Sequence, residues 1–215
     1  MDEMDLNNPA RSILPTLEAQ VLTVLTKVIR PMSGREISRL AEAKSHAGIR
    51  LALERLYEQG VVEKQKIGTS NLYSLNRDHL AYPAIEALMD LRGRLFRRMT
   101  DAINEWQIPP VSVSVFGSTA RGDGGVDSDI DILVIQPDEL LSDGDQAQKN
   151  QSLYEYQDEW AMQLANFGSQ VQRWSGNKSS IIQLSKPQLE VMVAVNDPFA
   201  ASLMNESRHI WGEKI

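Results

Sequence analysis

Two aspartates set one residue apart, Asp129 and Asp131, open the apolar run Ile130 to Ile135, whose β-branching predicts a strand. Upstream, Val111-Ser112-Val113-Ser114-Val115-Phe116 alternates apolar and small polar residues and predicts a second strand with one buried face. That strand ends in Gly117-Ser118, and ten residues separate Ser118 from Asp129. Residues two apart on a strand point the same way, so Asp129 and Asp131 present carboxylates on one face while Ile130 and Ile132 serve the core. Two ionised carboxylates this close repel, a cost that a divalent cation removes. Hard oxygen ligands on a rigid strand suit Mg²⁺ (or Mn²⁺), which also takes phosphate oxygens. Gly117 lets a backbone N–H approach a phosphate, and Ser118 adds a hydroxyl at the opening of a short helix, where anions are favoured. The pieces together fit a nucleoside triphosphate: Gly117 and Ser118 cradle its phosphates, and Asp129 and Asp131 hold the metal.

The two segments Phe116-Gly117-Ser118-Thr119-Ala120-Arg121-Gly122 and Ser128-Asp129-Ile130-Asp131-Ile132-Leu133-Val134, at this spacing, resemble the DNA polymerase β-like nucleotidyltransferases. That family includes the kanamycin nucleotidyltransferase type and the minimal nucleotidyltransferases of bacteria. The resemblance covers about residues 108–190. It implies transfer of a nucleoside monophosphate from a triphosphate to a hydroxyl, with a protein side chain, a small molecule or RNA as acceptor. It places Arg121 near the site, touching phosphate or paired with Asp123 or Asp127. It also implies a third carboxylate on a later strand, to bind metal and deprotonate the acceptor. Gln151 to Phe167 reads as a helix, and the next strand-like segments, Gln170–Trp174 and Ser179–Leu184, contain no acid. No acidic residue lies between Glu159 and Glu190, so Gln172 or Gln183 is expected where the carboxylate would be. Three readings stay open: Glu190 or Asp197 enters from the C-terminal region, a partner or the substrate supplies the base, or the domain binds a nucleotide without turning it over.

The first eighty residues have a different pattern. Leu14, Leu17, Val21, Leu25 and Val28 mark one face of a helix from Ser12 to Arg30. Ser33 caps a short second helix that buries Ile37 and Leu40, with Glu36 as the capping-box partner. Ser45 caps a third, with Ile49, Leu53 and Leu56 inward and Gly60 as its C′ glycine. Val61–Lys66 and Asn71–Leu75 read as two strands around a turn. Gly34 to Val62 resembles the winged helix-turn-helix modules of bacterial transcription regulators, over about residues 12–77. The resemblance implies double-stranded DNA as partner, with Ser45, His46 and Arg50 toward a major groove and Lys64, Lys66 and Asn71 beside the wing. The other reading of the same residues is a solvated face on a module used for protein contacts.

Between the two lies a long helical stretch from about Asp78 to Trp106 carrying Arg92, Arg94, Arg97 and Arg98, stopped by Pro109-Pro110. It reads as a connector, and an amphipathic helix here is also a dimer element, so a homodimer is one expectation. The charge splits accordingly: residues 1–80 sum to +1, 81–110 to zero and 111–215 to −8, within a total of −7. Two parts with different partners explain that asymmetry better than one. The absence of cysteine excludes disulfides and thiolate metal sites. No membrane-spanning run and no signal peptide are read, and a cytoplasmic protein is expected. The expected fold is α+β: a winged helix-turn-helix over residues 1–80, a connecting helix over 81–107, and a small mixed-sheet nucleotidyltransferase domain with C-terminal helices over 108–215. The expected function is metal-dependent nucleotidyl transfer coupled to DNA binding. The alternatives are a regulator that senses a nucleotide and a toxin–antitoxin component.

Overall fold

A computed structural model of the 215-residue chain describes residues 4–6, 9–125, 128–141 and 147–214. The fold is α+β, with helices around two small sheets, and the chain divides into two compact units. One is residues 8–92; the other is residues 93–215 together with the described residues of the N-terminal seven.

The first unit runs α1 (Pro9–Ile13), α2 (Leu17–Lys27), β1 (Met32–Ser33), α3 (Gly34–Leu40), α4 (His46–Glu58), β2 (Val62–Ile67), β3 (Ser70–Leu75) and α5 (Tyr82–Met89). The helix expected from Ser12 to Arg30 is two helices. Pro15 offers no N–H to continue the first, and the Thr16 hydroxyl accepts from the Ala19 amide at 3.3 Å to start the second. Leu14 falls in that break and is 44% exposed rather than inward; Leu40, which closes α3, is also exposed. Val21, Leu25, Ile37, Ile49 and Leu53 are fully buried in one core with Met32 and Tyr73, as their helical spacing requires. Each such side chain contributes roughly 1.5–3 kcal/mol. Ser33 and Ser45 cap α3 and α4, and Gly60 takes φ +74° after α4. The Glu36 carboxylate does not close the expected capping box; it is held by Arg30. β2 and β3 form the hairpin, and β1 adds a short third strand that the sequence does not announce.

The expected continuous connector is also two helices, α5 and α6 (Leu91–Asn104), broken at Asp90. The division between units falls at Arg92–Gly93, so α6 from Gly93 onward packs with the second unit. That unit continues β4 (Ser112–Phe116), α7 (Gly117–Arg121), β5 (Ile130–Gln136), a 3₁₀ turn (Asp138–Leu141), α8 (Ala147–Ser175), β6 (Ser179–Ser185), α9 (Lys186–Ala194), α10 (Pro198–Glu206) and β7 (Arg208–Gly212). Its sheet has the order β6-β5-β4-β7. β4 is antiparallel to β5 and to β7, whereas β5 and β6 are parallel. A parallel pair needs a crossover, and α8 supplies it. The expected strand at Gln170–Trp174 is therefore wrong: those residues are the end of α8. Trp160, Phe167 and Val171 all bury against the sheet at helical spacing, a pattern a five-residue window hides.

Both faces of the sheet are covered. Val113, Val115, Ile130, Ile132 and Val134 pack on α6 and α8 through Leu95, Met99, Ile103, Trp160 and Phe167. Phe116, Leu133 and Ile135 pack on α9 and α10 through Leu189, Ala200 and Leu203. A strand covered on both sides reads as an unbroken apolar run, which is why Ile130 to Ile135 shows so little alternation. Trp160 is core, and Trp174 and Trp211 are partly buried against the same cluster, as expected. Ser185 with Gln188 caps α9, and Asp197 caps α10 ahead of Pro198.

Candidate active site

The site begins where β4 runs directly into α7. Gly117 is the joint and holds φ +66°, a region that only glycine enters freely. The antiparallel register sets Phe116 opposite Asp131, which brings the aspartate over the joint. A Cβ at Gly117 would lie 2.5 Å from Asp131 Oδ2. Glycine is required here for backbone conformation and for room.

Asp131 is half-buried, and Asp129, one residue before β5, is exposed. Burial pushes the Asp131 carboxyl above its ordinary value, and the nearby Asp129 charge pushes it further. The Asp129 charge is therefore felt at Asp131. Among the described residues no cation forms an ion pair with either of them. The segment is held in place from two sides. The buried Thr119 hydroxyl donates to the Asp129 carbonyl at 3.2 Å, and the fully buried Asn177 amide donates to the Ser128 carbonyl at 3.2 Å. Neither positioning residue is visible as such in the sequence, because both bonds go to backbone. Two carboxylates without a cation partner are oxygen donors of the kind Mg²⁺ or Mn²⁺ takes, with water and phosphate oxygens left to complete its shell.

The raised Asp131 carboxyl has a consequence for stability. The folded chain holds that proton more tightly than the unfolded chain does. The contribution is fully favourable below the unfolded value, about 3.9, and is lost as pH rises through the higher folded value. We expect metal-free protein to lose stability through this residue on going from about pH 4 to pH 7, and Mg²⁺ to restore it at neutral pH. Melting curves of wild type and Asp131→Asn across that range, with and without Mg²⁺, isolate the effect. Identical slopes in the two proteins would refute it.

The remaining expected site residues fall as follows. Ser118 lies in the first turn of α7, under the returning loop: a Cβ at Gly124 would lie 2.9 Å from Ser118 Oγ. Arg121 is engaged within the protein, Nε with Asp123 at 2.9 Å and Nη1 with Glu206 at 2.6 Å. Asp123 was an expected partner; Asp127 lies outside the described residues; Glu206, at the end of α10, gave no sequence signal. The expected stand-ins for a third carboxylate are misplaced. Gln183 pairs with Val134 on the opposite face of the sheet, where it accepts from Trp160 Nε1 at 2.9 Å and donates to Gln136. Gln172 is on α8. The residue in register beside Asp131 on β6 is Ser180, exposed and uncharged. Asp197 is spent on the α10 cap, accepting from Phe199 N at 2.8 Å, and Glu190 is an exposed residue of α9. Among the described residues no group of three acids, histidines or cysteines could hold a metal.

In the first unit, the six residues expected to face DNA divide. Ser45 Oγ is occupied by the cap, accepting from Gly48 N at 3.1 Å. His46 and Arg50 are exposed, four residues apart on α4. Lys66 and Asn71 are exposed cross-strand partners near the hairpin tip. Lys64 is a correction to the expected phosphate contact: its ammonium sits on Glu54 at 2.8 and 3.0 Å, near the rings of Tyr57 and Tyr73. A carboxylate held that closely satisfies the cation inside the protein.

Residues 98–190 match the family model of the nucleotidyltransferase domain. The nucleotidyltransferase match begins in α6, ends in α9, and takes in Gly117, Asp129, Asp131 and Ser180. A comparison with curated proteins returns no match. Among solved structures the chain is similar to human N-acetylserotonin methyltransferase in complex with SAM, at 16% identity and a TM-score of 0.28, over 46% of this chain. The chain spans about a third of that protein's length, 31%, and the score is too low to carry an argument. Among the described residues no helix is long and apolar enough to cross a membrane.

Proposed function

We propose that the nucleotidyltransferase domain transfers a nucleoside monophosphate from a nucleoside triphosphate to a hydroxyl acceptor. The observation that carries this reading is the Asp131 carboxylate lying against side-chain-free Gly117, with the Asp129 charge beside it. Bound Mg²⁺ (or Mn²⁺) would be held by Asp129 and Asp131 and would supply charge neutralisation for the triphosphate. Gly117 leaves room for the Asp131 carboxylate at the β4–α7 joint, and Thr119 and Asn177 fix the strand entry that carries Asp129. In the transfer the acceptor oxygen bonds to the α-phosphorus, the bond to pyrophosphate breaks, and the acceptor proton leaves. Such reactions depend chiefly on positioning and charge stabilisation. With Ser180 beside the pair, the proton passes to solvent or to a group on the acceptor, and slow turnover without the right acceptor follows.

The test is incubation of the protein with each α-labelled nucleoside triphosphate, Mg²⁺ and cell lysate. Transfer of label to a macromolecule or small molecule, with pyrophosphate release that EDTA stops, supports the proposal. Binding of the triphosphate with no release under any condition defeats transfer and leaves the domain as a nucleotide sensor. No binding defeats both and favours an interaction protein such as a toxin–antitoxin component.

A second role is favoured by the element order of the first unit. From α2 to β3 the order is helix, short strand, helix, helix and hairpin, as expected of a winged helix-turn-helix, and His46 and Arg50 stand exposed in the first half of α4. We propose that this unit binds double-stranded DNA with α4 in a major groove. Replacing Arg50 by alanine is expected to weaken binding to a selected duplex by about 1–3 kcal/mol and to relax the base preference at one position. Selection from a random-sequence duplex pool, followed by anisotropy titration, checks this. An unchanged affinity would remove Arg50 from the interface. The same titration with and without nucleotide reads out any coupling between the two units, and sedimentation reads out a homodimer.

A further inference from the structure

The first unit pairs several of its cations internally: Arg30 with Glu36, Arg55 with Glu18, and Lys64 with Glu54. Arg35 and His46 are exposed and have no ion pair or hydrogen bond among the described residues. Both line a recess of about 400 Å³ at the junction of α3, α4 and β3, together with Arg50. The walls behind these three groups are the buried side chains of Leu53 and Tyr73, and Asn71 adds an amide at the rim. No carboxylate lines this recess. Glu54, on α4, is engaged by Lys64 and by the Tyr73 hydroxyl, although Arg50 also acts on it. An adjoining hollow of about 600 Å³ shares Arg35 and His46 but is also lined by Glu36 and Glu42, so it is the poorer seat for an anion. Ser38 lines that hollow too; it is 1% exposed and its hydroxyl has no hydrogen-bond partner.

We propose that the Arg35–His46–Arg50 recess is a phosphate-binding site. Two guanidinium groups and an imidazole line a concavity with no acid in its lining, and guanidinium matches phosphate oxygens two at a time. The volume suits a small phosphorylated molecule, with Leu53 and Tyr73 as an apolar wall. The same chemistry accepts a backbone phosphate of DNA. A small ligand seated here occupies His46 and Arg50 and so competes with any duplex laid against α4. The site is separate from the aspartate pair and does not depend on nucleotidyl transfer.

The experiment uses the full chain in EDTA, which silences binding that requires a divalent cation. Inorganic pyrophosphate and ATP are titrated by calorimetry, and a short fluorescein-labelled duplex by anisotropy. In at least one arm, Arg35→Ala is expected to weaken binding by about tenfold or more. Arg35→Lys, which keeps charge but loses the fork, is expected to fall between the two. Arg35 is exposed and unpaired, so its truncation leaves the fold intact, which circular dichroism verifies. Lys27→Ala, an equal charge change on an exposed residue away from the recess, is the control. Loss in the pyrophosphate and ATP arms identifies a small-molecule site. Loss in the duplex arm alone, with the salt slope reduced by about one, assigns the recess to the DNA backbone. Unchanged binding of all three probes in Arg35→Ala, or an equal loss in Lys27→Ala, overturns the proposal.

Discussion

If the proposed transfer is right, Asp131→Asn is expected to lower metal-dependent nucleotidyl transfer by more than about a hundredfold, beyond what losing an outer-shell partner of a metal ligand costs. The same change is expected to raise the melting temperature of the metal-free protein at neutral pH. Both effects have one cause. The carboxylate is half-buried, feels the Asp129 charge, and has no cation on it among the described residues, so its charge is unfavourable in the metal-free protein. Asparagine keeps the shape and drops the charge, and so relieves the fold while removing one of the two proposed metal ligands. Asp129 is exposed, so Asp129→Asn is expected to share the loss of transfer with a smaller gain in stability. Pyrophosphate release with Mg²⁺, read beside melting curves in EDTA, checks the pairing. A mutant that loses transfer and also melts lower would show that Asp131 is a structural residue rather than a strained functional one.

Gly117→Ala is expected to be equally inactive for a different reason. The left-handed backbone costs an alanine about 1–2 kcal/mol. Its Cβ would also sit 2.5 Å from Asp131 Oδ2, far inside contact distance. Either the carboxylate or the β4–α7 joint moves, and a displacement near 1 Å in a transfer site costs roughly a hundredfold in rate. The predicted signature is loss of transfer with a lower melting temperature, opposite in sign to Asp131→Asn. Combining Gly117→Ala with Asp131→Ala removes the contact but keeps the backbone cost. The double mutant should recover part, not all, of the stability lost by Gly117→Ala alone. Full recovery would mean that the φ of Gly117 carries no penalty, and no recovery would mean that the carboxylate is not what the new methyl meets.

The residues behind these two predictions differ from their neighbours in how far each is marked in the sequence. The placement of Gly117 at the β4–α7 joint and of Asp131 over it was legible because the signals are local: a glycine at a strand end and acids at a period of two. The helix caps at Ser33, Ser45 and Asp197 were legible for the same reason, since each donor lies within three residues of its acceptor. Ser180 was not. Its place beside Asp131 follows from the parallel β5–β6 register, and that register is set by how α8 crosses the sheet. Gln183 failed as a stand-in by one step of strand parity, which no inspection of the sequence could fix without knowing the pairing. Arg121 was read with Asp123 as one option, but Glu206 lies 85 residues away along the chain. Thr119 and Asn177 act through backbone carbonyls, and a hydrogen bond to a carbonyl leaves no mark on the partner's identity.

The first unit tells a similar story. Helical spacing located Val21, Leu25, Ile37, Ile49 and Leu53 in its core, because burial selects side chains turn by turn. The same spacing ran through Pro15 and Asp90 and missed two breaks, since apolar periodicity persists across a bend when both pieces face one core. Charge counts could not say which cations were free. Lys64 and Arg50 look alike in the sequence, yet one is neutralised by Glu54 and the other is left at a recess with Arg35 and His46. By itself the sequence determined the fold class, the strand–glycine–helix joint and the carboxylate pair, all products of short-range pattern. Tertiary structure alone decided what stands beside that pair and which charges remain unpaired, because register and ion pairing depend on contacts between segments far apart in the chain.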